Sequence, residues 1–347
     1  MNDRTRILAA VGVTVVLFLG IQLGALALVE PFTESERQAV ENPEDPTNSI
    51  LYVGVMLVAT GLMLAAFKYD LDWLIRLLLV AVSVMISWYV FAELVPAVVG
   101  SLVSARIAAG LAIGASLAVG AALLWYPEWY VIDGAGIVMG AGAAALFGIS
   151  FGPLPALLLL SVLAVYDAIS VYGTEHMLDL AEGVMDLKIP VVLVVPMTLS
   201  YSYLDAGSTD DVLEDGGVET SDAAADEHTD AVETDRTDAD TDSQDEGGTL
   251  DRDALFIGLG DAVIPTVLAA SAAAFLDAGV LAVPGLAVNL PALGALLGTL
   301  AGLLVLMYMV LEGRAHAGLP LLNGGAIGGY LLGALAAGLP IATALGL

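Results

Sequence analysis

Residues 254–265 read ALFIGLGDAVIP, and the apolar run that they open continues past residue 270. About 20 such residues cross roughly 30 Å of hydrocarbon as a helix. Yet this run carries an aspartate, Asp261, directly behind Gly258-Leu259-Gly260. A charge at bilayer depth costs about 2.5 kcal/mol or more, so such residues are rare and tend to be functional. The reading of the chain turns on whether this run spans a membrane and what the aspartate meets there.

Composition answers the first point. Of 347 residues 58% are hydrophobic and only 14% charged, and the mean hydropathy is +0.87. A soluble domain carries far more charge, so the chain is read as a polytopic membrane protein. Alternating strand patterns are absent, so helices rather than a β-barrel are expected to satisfy the backbone. The expected class is all-α, with nine transmembrane helices at 7–29, 49–67, 77–98, 105–125, 131–150, 153–173, 254–275, 287–311 and 321–345. The first span also reads as a signal peptide, with Ala25-Leu26-Ala27 as a cleavage-like site. Its apolar core exceeds the usual 7–15 residues, which favours a retained span.

Positive charge sets the orientation. With the N-terminus in the cytoplasm, Arg4, Arg6, Lys68, Arg76, Lys188, Arg236, Arg252 and Arg314 fall inside, and Arg37 and Arg106 outside. The C-terminus is then extracellular. The chain has 39 acidic and 10 basic residues, a net charge of −29. That bias suits high salt, where counterions screen self-repulsion, so a halophilic source is expected. No basic patch exists to meet phosphates, so no nucleic-acid partner is expected.

The chain divides into three parts. Residues 1–203 hold six spans and, at 177–187, apolar residues at the spacing of a short interfacial helix. Residues 204–253 form an acidic loop, with 19 acidic and 2 basic residues in 205–253. Such a composition cannot bury a core and is expected to be disordered. Residues 254–347 hold the last three spans. The short run Val191 to Val195, closed by Pro196, is β-branched and too short to span.

Away from the span ends, two acidic residues lie inside helices: Asp261 and Asp167, in SVLAVYDAISVYG. Glu93 falls near the outer end of the third span. Asp167 is about 6 residues from the cytoplasmic end of its helix and Asp261 about 7 from the start of its own, so both sit about 9–10 Å deep. No lysine or arginine lies inside a span to neutralise them. Two carboxyls in contact cannot both ionise readily and hold one proton between them. The deprotonated member can activate water while the protonated one donates to a carbonyl oxygen. Gly258 and Gly260 clear side chains from the backbone beside Asp261, so that another helix or an extended peptide can approach. Cysteine is absent, no HExxH occurs, and all three histidines fall outside the spans. Thiol, zinc-peptidase and serine–histidine chemistries therefore fit poorly, and no cofactor or metal is expected.

Tyr166-Asp167 and Gly258-Leu259-Gly260-Asp261 resemble the YD and GxGD motifs of presenilin and signal peptide peptidase, the intramembrane aspartyl proteases. The resemblance implies a presenilin-like fold of nine spans with a cytoplasmic N-terminus and a large loop between spans six and seven. It also implies catalytic roles for Asp167 and Asp261, and substrates that are transmembrane helices unwound near the cytoplasmic face. With the acidic composition, an archaeal, salt-adapted member is expected. The family's third motif, Pro-Ala-Leu, corresponds to Pro320-Leu321-Leu322, which departs at its middle residue. A literal Pro291-Ala292-Leu293 lies at the far end of the eighth span, and Tyr69-Asp70 lies in a loop. The Val191 to Val195 run, or the residues just before the seventh span, is expected to offer an edge strand to an unwound substrate. A channel or proton-coupled transporter using the same carboxyls is the alternative, and an inactive scaffold the third reading. Self-association stays open.

Overall fold

The computed structural model describes residues 3–69, 71–173, 191–196, 201–202, 254–311 and 317–347. The expected interfacial helix at 177–187 and the acidic loop lie outside the described residues. The first six helices are α1 (Asp3–Glu34), α2 (Thr47–Lys68), α3 (Asp72–Val99), α4 (Ala105–Trp125), α5 (Trp129–Ser150) and α6 (Pro153–Gly173). After them come β1 (Val192–Pro196), β2 (Ala254–Gly258), α7 (Leu259–Phe275), β3 (Val280–Val283) and β4 (Leu286–Asn289). The chain closes with α8 (Leu290–Leu311), α9 (Gly318–Ala336) and the short α10 (Ile341–Ala344).

Among the described residues, eight helices are long and apolar enough to cross a membrane, and α7 is a shorter apolar helix. The protein is a multi-pass, membrane-embedded helical bundle. α7 lies at its centre, packed by α1, α5, α6, α8 and α9. Its run Ala262 to Ala272 is almost wholly buried. Small residues explain how so many helices reach it. A methyl group added at Gly148 of α5, for example, would meet Ala270 of α7. α1 belongs to the same core, with Phe18, Ile21, Ala25 and Phe32 fully buried. α2 is peripheral and buries few of its residues.

Helices α8 and α9 make the tightest pairing. Gly294, Gly298 and Gly302 on α8 and Gly325, Gly329 and Gly333 on α9 recur every fourth residue, so each set lines one helix face. A Cβ at any of them would run into backbone atoms of the facing helix. Without side chains between them the backbones touch, and dispersion and weak C–H···O contacts replace a hydrophobic driving force that lipid does not supply.

Several expected boundaries are corrected. Residues 254–258 form a strand, not the first turns of a seventh helix, and pair antiparallel with β1 in the register Val192↔Gly258 to Pro196↔Ala254. A five-residue apolar run fits a buried strand as well as a helix, and its pairing with the β-branched β1 selects the strand. The eighth span is preceded by the β3–β4 hairpin, which turns at Pro284-Gly285 with Gly285 at φ +74°. That geometry suits proline then glycine at the two turn centres. The last span ends at Ala336, and α10 folds back so that the Tyr330 hydroxyl bonds the Ala344 carbonyl. α3 begins at Asp72, which brings Arg76 within a helix, where it donates to the Leu124 carbonyl at 3.3 Å.

Candidate active site

The aspartates of two sequence motifs both lie against the residues just before the third. β2 delivers the chain into α7 at Gly258, the N-cap residue, so Leu259, Gly260 and Asp261 form the first helical turn. An acidic side chain there faces the positive end of the helix dipole. Pro265, one turn on, lacks the N–H that would bond the Asp261 carbonyl, which loosens the backbone at this point. A Cβ at Gly258 would stand 3.4 Å from Asp261 Oδ2, and at Gly260 the nearest neighbour would be Ile264 at 3.9 Å. Among the described residues, nothing beyond the side chains of their own helix would come within 4 Å of a Cβ at either glycine.

Asp167 projects from α6, half-buried, and one carboxylate oxygen accepts the Leu319 N–H at 3.1 Å. Leu319 is the second residue of α9, where backbone N–H groups lack helical partners and are available to a carboxylate. Asp261 Oδ2 comes within 3.5 Å of the Cβ position on the neighbouring residue, Gly318. The Cα atoms of consecutive residues are about 3.8 Å apart. Asp167 thus bonds Leu319 while Asp261 lies beside the adjoining Gly318.

Pro320, Leu321 and Leu322 continue that turn. Leu322 is fully buried among Leu259, Ala262, Leu303, Leu306 and Met307, and Leu321 packs partly against the same cluster. Gly302 on α8 makes room for them: a Cβ there would lie 2.5 Å from the Leu321 carbonyl oxygen. Asn323, buried, donates from Nδ2 to the Leu160 carbonyl at 2.9 Å and ties α9 to α6 a second time. Tyr166, by contrast, is exposed. Pro291-Ala292-Leu293 lies at the opposite end of α8, where Asn289 caps the helix by accepting the Ala292 N–H at 2.8 Å. By helical rise Pro291 is about 22 Å from Leu306, which borders Gly318. Glu93 is paired with Arg37 at 2.9 Å, remote from this site.

One acidic residue escaped the sequence reading. Asp133 lies in the second turn of α5, buried, and accepts the Val194 N–H of β1 at 2.8 Å. Placing the fifth span at 131–150 made it a span-end residue; its setting in YVIDGAG, apolar and glycine-rich, was the available signal. Among the described residues no three His, Asp or Glu side chains gather as a metal site.

A family profile described as signal-peptide peptidase, presenilin aspartyl protease matches residues 15–339. Two solved structures of a presenilin family intramembrane aspartate protease, in different crystal forms, are similar in fold. One is 29% identical with a TM-score of 0.59, covering 94% of this chain and 99% of its own. The other is 32% identical with a TM-score of 0.57, covering 93% of this chain and 96% of its own. No curated protein sequence matches the chain significantly.

Proposed function

The chain belongs to the signal-peptide peptidase and presenilin family of aspartyl proteases, and on that footing we propose that it hydrolyses peptide bonds of transmembrane substrate helices, with Asp167 and Asp261 acting as one catalytic pair. The observation that carries this reading is the convergence of both carboxylates on Gly318 and Leu319. Two acidic groups from different helices lie against adjoining residues at the start of α9, and among the described residues the only ion pair is that of Arg37 with Glu93.

In the proposed reaction the deprotonated aspartate takes a proton from water as the water oxygen bonds to the scissile carbonyl carbon. The protonated aspartate donates to the carbonyl oxygen. The first aspartate then passes its proton to the amide nitrogen while the second takes one back from a hydroxyl of the tetrahedral intermediate, and the C–N bond breaks to free a carboxyl end and an amine end. The Leu319 N–H holds one oxygen of Asp167 and so fixes how that carboxyl is presented. Pro320 and Leu321, both partly exposed, provide the apolar wall beside the reacting bond, and Leu322 is buried behind them. The substrate is unwound, because a helical carbonyl is hydrogen-bonded and shielded, and it lies along β2, whose direction leads through Gly258 to Asp261. The charge bias of the loops supports a cytoplasmic N-terminus and a site near that face.

Reconstitution in liposomes tests this against ion conduction. Cleavage of a labelled transmembrane peptide without ion flux is expected; flux without cleavage would replace the protease reading with a channel or transporter.

A further inference from the structure

The outer edge of β1 in the β1–β2 pair is closed by a side chain. Leu259 donates its N–H to the Val191 carbonyl at 2.8 Å, in line with the register of the pair. Antiparallel pairing alternates, so Val191, Leu193 and Val195 turn their main-chain groups toward β2. Val194 then turns its N–H outward, and that N–H meets Asp133 Oδ1 at 2.8 Å. Val194 and Asp133 are both buried, so neither group has water as an alternative.

The rest of α5 supports the same contact. Gly136 and Gly140 follow Asp133 at helical spacing, and a Cβ on each would lie 3.1 Å from Leu193 and Leu259 respectively. α5 therefore seats β1 and the first residue of α7 on one glycine face. Glu128 is the N-cap residue of α5, yet its side chain bonds none of that helix's own N–H groups. Its carboxylate instead accepts the Ser202 hydroxyl at 2.8 Å, beyond the end of β1. Two carboxylates from one helix end thus hold the strand and the chain that follows it.

We infer that Asp133 is a positioning residue for the proteolytic site: its carboxylate closes the outer edge of β1 and so fixes the β1–β2 pair, through which the chain enters the turn that carries Asp261. The inference rests on the proteolytic reading of Asp167 and Asp261. Asp133 touches neither of the reacting groups; it acts through the strand that leads to Asp261.

The test compares the full-length wild type with Asp133→Ala, Asp133→Asn and Val194→Pro. Hydrogen exchange of the peptide covering 191–196 is measured alongside cleavage of a transmembrane peptide, with the products mapped by mass. In Asp133→Ala, exchange at Val194 is expected to accelerate about tenfold or more. kcat/KM is expected to fall about tenfold. Asp133→Asn keeps a carbonyl oxygen to accept the N–H and should restore slow exchange and cleavage. Val194→Pro removes the donor, and with it the exchanging N–H, so it is read by cleavage alone and should match Asp133→Ala there; it serves if that variant does not fold. Unchanged exchange and wild-type cleavage in folded Asp133→Ala, or wild-type cleavage by folded Val194→Pro, would overturn the inference. So would equal damage from Asn and Ala. A wild type that cleaves nothing would sink the proteolytic reading, while the exchange result alone still shows whether Asp133 holds β1.

Discussion

Gly302→Ala separates packing from chemistry at the third motif. A Cβ at residue 302 would stand 2.5 Å from the Leu321 carbonyl oxygen and 3.2 Å from the Leu322 Cα. Ordinary contact begins at 3.4 Å, so the start of α9 must move away by about 0.9 Å. Two residues earlier, the Leu319 N–H holds Asp167 at 3.1 Å. That bond has only about 0.4 Å of slack before it passes roughly 3.5 Å and ceases to be one. The displacement exceeds the slack. Overpacking of this size costs about 1–3 kcal/mol, a fall of roughly 2–10 °C in the thermal transition in detergent. A misplacement near 1 Å at a reacting group costs about 100-fold in rate, so cleavage should suffer more than stability. The comparison is Gly328→Ala on the open side of α9, where a Cβ would meet nothing within 4 Å. It should leave cleavage intact and gain up to about 1 kcal/mol of helix stability. Wild-type cleavage by folded Gly302→Ala, or equal loss in both variants, would refute the reasoning.

Glu93→Gln keeps the size of the side chain but removes the charge that receives Arg37 and Ser35, each at 2.9 Å. Thermal unfolding should show a loss of about 1–3 kcal/mol, and an unchanged transition would mean the pair is ornamental. The Thr47 backbone N–H, at 2.9 Å, and its hydroxyl hold the Asp45 carboxyl below its ordinary value of 3.8. What this contributes at the entry to α2 is present above pH 3.8 and lost as pH falls through the lowered value. Thr47→Pro should return the carboxyl titration midpoint, followed by NMR, toward 3.8; a midpoint that stays low would assign the shift to another cause. Replacing residues 207–247 by a short Gly/Ser linker should leave a detergent-stable protein with its thermal transition, since that composition buries no core. Loss of either would show that the acidic loop belongs to the fold.

The membrane spans were legible because lipid demands long apolar runs, and nothing else in the chain imitates them. Asp167 and Asp261 stand out in the sequence for the converse reason: a carboxyl in such a run needs an explanation. Strand β2 was not read as a strand, because ALFIG carries no period that separates strand from helix. Its partner β1 is distant in sequence, so no local pattern announces the pairing of Leu193 with Ile257. Asp133 was passed over because it lies near a helix end, where charge is ordinary; only the direction of the Val194 N–H makes it informative. The glycines at 294, 298 and 302 were present as a four-residue period, but which helix they face depends on α9. Leu319 offers no side-chain signal at all. Its contact with Asp167 is made by the backbone, which every residue but proline shares.

The central claim is that Asp167 and Asp261 act as one unit. Asparagine is nearly isosteric with aspartate but cannot take up the water's proton, so each single substitution breaks the pair without emptying its space. The direct measurement is cleavage of a labelled transmembrane peptide by reconstituted wild type, Asp167→Asn, Asp261→Asn and the double variant, with folding checked in each. Each single variant should lose nearly all cleavage and the double should be scarcely worse, because residues acting together are not additive. Substantial proteolysis by either single variant would contradict the account.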